Sequence, residues 1–311
     1  MVRSGHMGHA QRAAAVALVS AALASCELLV GIPQVSLLPD GGLDGTTPAS
    51  GDGGADGTDE ADADASAVAD ASGGPCGRVA ADGAVRAGPD MVQIDAALGS
   101  YCIDTTEVTN AQFNVYLVAS GAFIDTPGEC DASGAPPVAD QDPTHQDVAV
   151  GALGACHAWS YCRWAGKRLC GVIPDGGSVY AAARPEDTEW VYACINGAYD
   201  YGFPYGASYE AGTCNVDQPD GGPLPVKTKA ACRGVAAPFD RIYDMVGNRW
   251  EYVNDLAGSG GNVSAHGGAW SSLASGMTGA GGGCGYTTNF QGANNFAFDE
   301  SGFRCCADPW P

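Results

Sequence analysis

Thirteen cysteines are the residues best able to do chemistry in this 311-residue chain. A thiolate can bind a soft metal, attack a substrate or form a disulfide, and the spacing of the cysteines distinguishes these uses. They do not fall into paired Cys-x2-Cys clusters, which excludes a zinc-ribbon type of protein. His145, His157 and His266 share no His-x-x-His or His-Glu-x-x-His spacing, so these histidines do not form a metal motif.

Cys26 differs from the other cysteines in the sequence that precedes it. The apolar run 13–24 follows two arginines and is too short to span a bilayer, so residues 1–25 are predicted to be a signal peptide. The Leu-Ala-Ser-Cys sequence that ends at Cys26 resembles a bacterial lipobox, whose cysteine is acylated. An ordinary signal peptide with a chance cysteine is the alternative. We therefore expect lipidation of Cys26 and anchoring to a bacterial membrane, at the periplasmic face or the cell surface.

The twelve remaining cysteines are an even number in a chain predicted to be exported. This predicts up to six disulfides, although their connectivity cannot be deduced from spacing. The neighbours Cys305 and Cys306 are expected to have separate partners, because a bridge between adjacent residues is strained. A reactive thiol is the functional alternative.

Composition divides the chain into a linker and a domain. Residues 40–75 contain nine acids and nine glycines but no base and no aromatic residue, so the linker 26–77 is predicted to be disordered. Its Asp-Gly repeats lack the fixed period of a calcium array, which favours a solvated spacer. Residues 78–311 hold all 26 aromatic residues and form one domain. The net charge of −22 argues against nucleic acid and against docking on an anionic membrane.

Three helices and a loop-rich region must position any site in the domain. A capping box at Thr109–Gln112 starts the first helix, and Gly121 can end it. The second helix is predicted over 154–165, and the third opens near Pro185. After residue 197, Gly, Pro, Asn and Asp recur every few residues, which indicates short strands. The fold class is therefore predicted to be α+β.

Five sequence blocks, in order, resemble the formylglycine-generating enzyme or sulfatase-modifying factor family. They are residues 101–113, 158–169, 188–193, 242–252, and 266–270 together with 302–304. The resemblance covers roughly residues 90–306, and the Cys-rich form looks like exported myxobacterial members. It implies a loop-rich variant of the C-type lectin fold, with a few helices, small mixed sheets and bound calcium.

The resemblance also implies a copper site, and the sequence departs from it there. The family holds copper(I) between two cysteines, five positions apart, after a Gly-Gly-Ser segment. Those positions are Ser272 and Met277 here, Ala269 replaces the serine, and His266 replaces the preceding arginine. A hydroxyl cannot replace a thiolate on copper(I), so we expect no copper and a non-catalytic binding or scaffold module. A formylglycine-generating oxidase that modifies a sulfatase Cys or Ser is the alternative.

The calcium positions implied by the resemblance are better kept, and hard oxygen ligands in a tight turn suit this ion. The first set is Asp244, Gly247, Arg249 (through its carbonyl) and Glu251. The second set begins at Asn215 and the carbonyl of Val216. A plain turn in which Glu251 pairs with an arginine is the alternative for the first set.

A ligand cleft is the last prediction. Trp250 and Trp270 match or lie near family positions of the active cleft, together with Ser272 and His266, although burial in the core is the commoner fate of tryptophan. Ser272 lies outside a Gly-x-Ser-x-Gly elbow, so a serine nucleophile with His266 as base is not favoured. The expected partner is a protein, a peptide or a glycan, bound by a monomer.

Overall fold

The computed structural model describes residues 74–79, 83–120, 130, 140–197, 200, 202–256, 262–278, 282–291 and 298–311. The predicted signal peptide, Cys26 and most of the predicted linker lie outside these residues, as does Gly121. Among the described residues, none of the helices has the length and hydropathy needed to cross a bilayer.

The described part of the chain forms eight strands and four α-helices. The strands are β1 (Met91–Ala96), β2 (Gly99–Asp104), β3 (Arg168–Leu169), β4 (Trp250–Tyr252), β5 (Asn262–His266), β6 (Thr287–Gln291), β7 (Ser301–Gly302) and β8 (Cys305–Ala307). The helices are α1 (Asn110–Ser120), α2 (Ala155–Trp164), α3 (Glu189–Cys194) and α4 (Ala274–Met277). Short strands and few helices confirm the α+β, loop-rich prediction.

Two four-stranded sheets organise the domain. The first has the order β1-β2-β8-β3 and is antiparallel, so the last strand lies between elements from the start and the middle of the domain. The second has the order β6-β5-β4-β7, in which β4 and β7 are parallel. In β5, Val263 and Ala265 are buried in the core while Ser264 faces the opposite side, as strand alternation requires.

The predicted capping box of α1 is present. The Thr109 backbone N–H donates to Gln112 Oε1 at 2.9 Å, and the Gln112 N–H donates to Thr109 Oγ1 at 3.4 Å. Helix α2 matches the prediction within one residue at each end. The prediction for α3 was wrong at its start, because Pro185–Asp187 forms a 3-10 turn and Thr188 is extended, so the α-helix begins only at Glu189.

All twelve cysteines after Cys26 pair in six disulfides, which confirms the predicted number. The pairs are Cys76–Cys102, Cys130–Cys156, Cys162–Cys305, Cys170–Cys306, Cys194–Cys284 and Cys214–Cys232. The separate partners expected for Cys305 and Cys306 are confirmed, and together they join β8 to α2 and to the end of β3.

The N-terminal segment 74–77, assigned above to the linker, packs on the domain. Cys76 is bonded to Cys102 in β2, and the Trp310 backbone N–H donates to the Pro75 carbonyl at 2.6 Å. The Trp310 indole donates to the Gly77 carbonyl at 2.9 Å. Residues 74–77 therefore belong with the domain, and the predicted linker boundary at residue 77 lies too far along the chain.

Candidate functional site

The two positions at which the family carries copper ligands lie together. After β5 the chain turns through Gly267 and Gly268, both with positive φ. A Cβ atom at Gly268 would lie 2.2 Å from Met277 Cε and 3.1 Å from Ser272 Oγ, so the Met277 and Ser272 side chains converge on this glycine. The Ser272 hydroxyl oxygen accepts a hydrogen bond from the Ala269 N–H at 2.9 Å, and both converging side chains are buried. These two positions therefore lie close together, but they supply a hydroxyl and a thioether.

The described residues hold one group whose atoms resemble a metal-ligand set, formed by Cys170, Glu189 and Cys306. Its two sulfurs are bonded to each other, and the Glu189 carboxylate accepts hydrogen bonds from Arg168 at 2.6 and 2.7 Å. The Gly171 N–H donates to the same carboxylate at 2.8 Å. This group is a structural ion pair beside a disulfide and does not fit a metal.

Glu251 lies in a buried cluster of charges and makes three hydrogen bonds. Arg304 Nη2 donates to Glu251 Oε1 at 2.7 Å, while Arg304 Nε and the Trp190 indole both donate to Oε2 at 2.7 Å. The Arg pairing that the sequence left open for Glu251 is therefore present. Arg304 comes from the predicted block 302–304, where no role was assigned to it.

Two further carboxylates complete this cluster. Glu107 receives the Asn248 side-chain amide at 2.7 Å and the Arg249 backbone N–H at 3.1 Å. Asp244 receives the Lys227 backbone N–H at 2.7 Å. Sequence reasoning missed Glu107, although it lies within the block 101–113 and could have been found there as a charged residue between a predicted strand and the capping box of the first helix.

Burial controls the ionisation of these acids. Burial raises the pKa of Asp244 to about 6, and burial together with the charges of Glu251 and Asp244 raises the pKa of Glu107 well above its usual range. The three carboxylates lie near the buried guanidinium of Arg304, and that of Arg249 also acts on Glu107. The carboxylate and carbonyl oxygens at the predicted positions are of the hard kind that calcium binds.

The two predicted calcium loops contact each other at Gly247. This residue has φ +80, and a Cβ atom here would lie 2.3 Å from the Asn215 carbonyl oxygen and 2.5 Å from a methyl group of Val216. The Asn248 N–H donates to the Asn215 carbonyl at 2.9 Å, and the Asn215 side-chain amide donates to Asn248 Oδ1 at 3.0 Å. The fold thus joins the loops through backbone contacts that only glycine permits.

A cleft of about 550 Å³ has Arg249, Trp270 and His145 among its lining residues. The Arg249 guanidinium lies 5.4 Å from the Trp270 ring, and its Nε donates to the Ala149 carbonyl at 2.7 Å. Burial lowers the pKa of Arg249 to about 10. The hydrogen bond to Asp140, with 2.7 Å between Nδ1 and Oδ2, raises the pKa of the exposed His145. The cleft therefore presents an aromatic ring between groups of both charges.

The four residues predicted for one ligand cleft occupy different places. Trp270 lines the cleft just described, whereas His266 lines a separate groove beside α3. Trp250 is buried, with its ring 5.0 Å from that of Tyr286, and Ser272 is buried beside Gly268. The turn through Gly267 and Gly268 places the preceding His266 and the following Trp270 in different cavities.

The fold and these blocks agree with a family comparison. A family model described as "Sulfatase-modifying factor enzyme 1-like domain" matches residues 72–309, and the chain belongs to this family. This confirms the recognition made from the five sequence blocks.

Individual relatives are more distant. Bovine (Bos taurus) formylglycine-generating enzyme is 32% identical over 115 residues, which cover 32% of this chain and 24% of that protein. The match therefore spans about a quarter of the length of this curated relative. PvdO from Pseudomonas aeruginosa is similar with a TM-score of 0.43 and 18% identity, covering 72% of this chain and 90% of PvdO. CarF is similar with a TM-score of 0.44 and 17% identity, covering 73% of this chain and 97% of CarF.

Proposed function

We propose that this protein is an exported, lipid-anchored binding module of the sulfatase-modifying factor family that lacks copper oxidase chemistry. The observation that carries the proposal is the pair Ser272 and Met277, which occupy the converging ligand positions beside Gly268. The six disulfides support it, because they use every cysteine of the domain. Acylation of Cys26, which lies outside the described residues, provides the anchor.

The cleft beside Arg249 is the proposed place for a protein or peptide ligand. Its volume falls within the range of roughly 300–1,000 Å³ that is usual for ligand sites. Trp270 offers an apolar surface, while Arg249 and the Asp140–His145 pair offer charges of both signs. A peptide segment carries the same mixture of apolar, acidic and basic groups, and a monomer suffices to bind it.

The oxidase activity is tested with a peptide that contains the sulfatase Cys-x-Pro-x-Arg motif. We expect no loss of peptide mass when it is incubated with the protein, copper(I) and oxygen, because neither converging side chain is a thiolate. The mature protein should also contain no free thiol under denaturing conditions.

The double variant Ser272→Cys with Met277→Cys is the matched control. Since the two wild-type side chains converge on Gly268, the two new thiols should bind one copper(I) ion that the wild-type protein does not bind. Conversion of the peptide by the wild-type protein would overturn the non-catalytic assignment and establish the oxidase alternative.

Calcium is the proposed ion of the buried acid cluster, held by oxygens of Asp244, Gly247, Arg249 and Glu251. When bound, it would supply positive charge to a cluster of three buried carboxylates. The loop at Asn215 and Val216 is the proposed second site. In both places the residues of the chain position oxygens, and the expected role of the ion is to stabilise the folded state.

Thermal melts with and without calcium should show a pH-dependent effect. In calcium-free protein, the raised pKa of Asp244 predicts a stability that falls as the pH rises from about 4 to about 6, because the folded state holds this proton more tightly than the unfolded chain. Calcium needs the ionised carboxylate, so it should raise the melting temperature strongly near pH 7 and weakly near pH 5.

Two variants test the calcium prediction. Asp244→Ala should remove the response of this site to calcium, whereas Asp147→Ala, which changes an exposed carboxyl, should keep it. Equal melting temperatures with and without calcium near pH 7 would contradict the site.

A further inference from the structure

A second groove lies on the polar face of β5 and β6, away from the cleft beside Arg249. Ser264 pairs with Asn289 across the two strands, and His266 pairs with Thr287, so these four side chains share one face. The segment 179–188 forms the opposite rim, and the enclosed volume is about 370 Å³. The other face of β5 packs into the core, so this polar face is available to a ligand.

His266 is the unusual member of this groove. It is 8% exposed, and its Nδ1 atom has no hydrogen-bond partner among the described residues. Burial lowers the pKa of His266 to about 4, so the ring is neutral near pH 7. Its ring centroid lies 5.1 Å from that of Trp190, which fixes the ring beside the groove. A buried polar atom without a partner is destabilising, and a ligand that supplies a hydrogen bond removes this cost.

The charges around the groove indicate a neutral ligand. Among its described lining residues, Arg184 is the one basic side chain, and it pairs with Asp187 at 2.8 Å and with Glu186 at 3.5 Å. No carboxylate side chain lines the groove surface among the described residues. The fully buried carboxylate of Asp255 lies behind it and accepts a hydrogen bond from the Ser264 N–H at 2.6 Å, and because burial raises its pKa it attracts a cation only weakly. An anion would have to compete with two acids for Arg184.

The remaining surface offers hydrogen bonds and one aromatic ring. Thr287 and Asn289 are exposed on the floor, and Tyr180 is 55% exposed on the rim. An exposed ring beside uncharged hydrogen-bonding groups complements a molecule that has one apolar face and a hydroxyl-bearing edge. We propose that this groove binds a neutral saccharide, which stacks on Tyr180 and bonds to His266, Thr287 and Asn289.

The proposal rests on the proposed binding role and names a ligand class for it at a separate site. The groove volume lies within the range of roughly 300–1,000 Å³ of small-molecule sites and suits one or two sugar rings. The contacts need no calcium, because the predicted calcium residues are not among those that line this groove.

The test measures binding of the mature protein to immobilised maltotetraose, mannotriose and chitotetraose, with sialyllactose and a heparin fragment as anionic probes. At least one neutral oligosaccharide should bind, with or without calcium, and should shift the imidazole NMR signals of His266. His266→Phe and Tyr180→Ala should each weaken binding by about tenfold or more, as loss of one ligand contact implies.

The neighbouring threonines of β6 provide a matched control. Thr287→Val should weaken binding, whereas Thr288→Val, on the opposite face of the same strand, should not. Because His266 is buried, Tyr180→Ala at the exposed rim gives the decisive result if His266→Phe does not fold.

Three outcomes would overturn the proposal: no neutral probe binds, anionic probes bind more tightly, or binding survives in Tyr180→Ala and Thr287→Val. The peptide mass assay judges the non-catalytic assignment independently, so failure of one proposal leaves the other standing.

Discussion

Replacing Arg304 by methionine should lower the free energy of unfolding of calcium-free protein by about 3–5 kcal/mol, the cost typical of breaking a buried ion pair. The Arg304 side chain is fully buried and makes four hydrogen bonds, two of them to Glu251 and the others to the Asp104 and Tyr243 carbonyls. The variant leaves Glu251 with one hydrogen bond, from Trp190, and without its guanidinium. Urea unfolding measures the loss.

The pH dependence separates this cause from a simple packing defect. Without the guanidinium, the pKa of Asp244 and that of Glu107 should rise further than burial already raises them. Folded-state pKa values above the unfolded ones give stability that is present at low pH and is lost as the pH rises. The deficit of Arg304→Met should therefore be larger near pH 7 than near pH 5, whereas a packing defect gives the same deficit at both.

Two variants provide controls for this prediction. Arg184→Met removes a guanidinium that is 55% exposed, and it should cost less than about 1 kcal/mol. Glu251→Gln combined with Arg304→Met should cost less than the sum of the two single changes, because the pair is removed together. Strict additivity of the two would show that the pair is not coupled.

Local signals in the sequence predicted several features correctly. The capping box from Thr109 to Gln112 needs only residues three apart, and the disulfide count needs only an even number of cysteines in a chain predicted to be exported. The five blocks predicted the family because their order along the chain survives even though each block is short. These predictions depend on composition or neighbouring residues, which the sequence states directly.

The arrangement of the site depends on contacts that the sequence does not state. Glu107 meets Asn248 across 141 positions of chain, and Arg304 meets Glu251 across 53, so neither partner could be deduced from spacing. His266 and Trp270 are four residues apart but line different cavities, because a turn with two positive-φ glycines lies between them. Long-range pairing and the direction of a turn decide such outcomes.

The largest expected effect of a single disulfide comes from Cys194–Cys284, whose residues lie 90 positions apart. With Cys170–Cys306 intact, opening it still frees a loop of about 46 residues, whereas Cys162–Cys305 lies beside Cys170–Cys306 and closes only about nine further residues. Replacing both cysteines of Cys194–Cys284 by alanine should lower the free energy of unfolding by about 4 kcal/mol, whereas the same change at Cys214–Cys232, 18 residues apart, should cost about 3 kcal/mol. A longer loop loses more unfolded-chain entropy when it is closed, so its opening stabilises the unfolded state more. Urea unfolding of the two double variants, with the other disulfides intact, measures the difference.

This pair of disulfides is a matched comparison because all four cysteine side chains are buried, so the cavities left by alanine are similar. Equal losses would mean that native packing, and not chain entropy, accounts for the effect. Cys305 also follows Arg304 directly, and its backbone N–H donates to Asp104 at 2.9 Å. Opening Cys162–Cys305 should therefore weaken the calcium response of the acid cluster. Opening Cys214–Cys232 should instead weaken the calcium response of the second predicted loop, because Cys214 directly precedes Asn215 there.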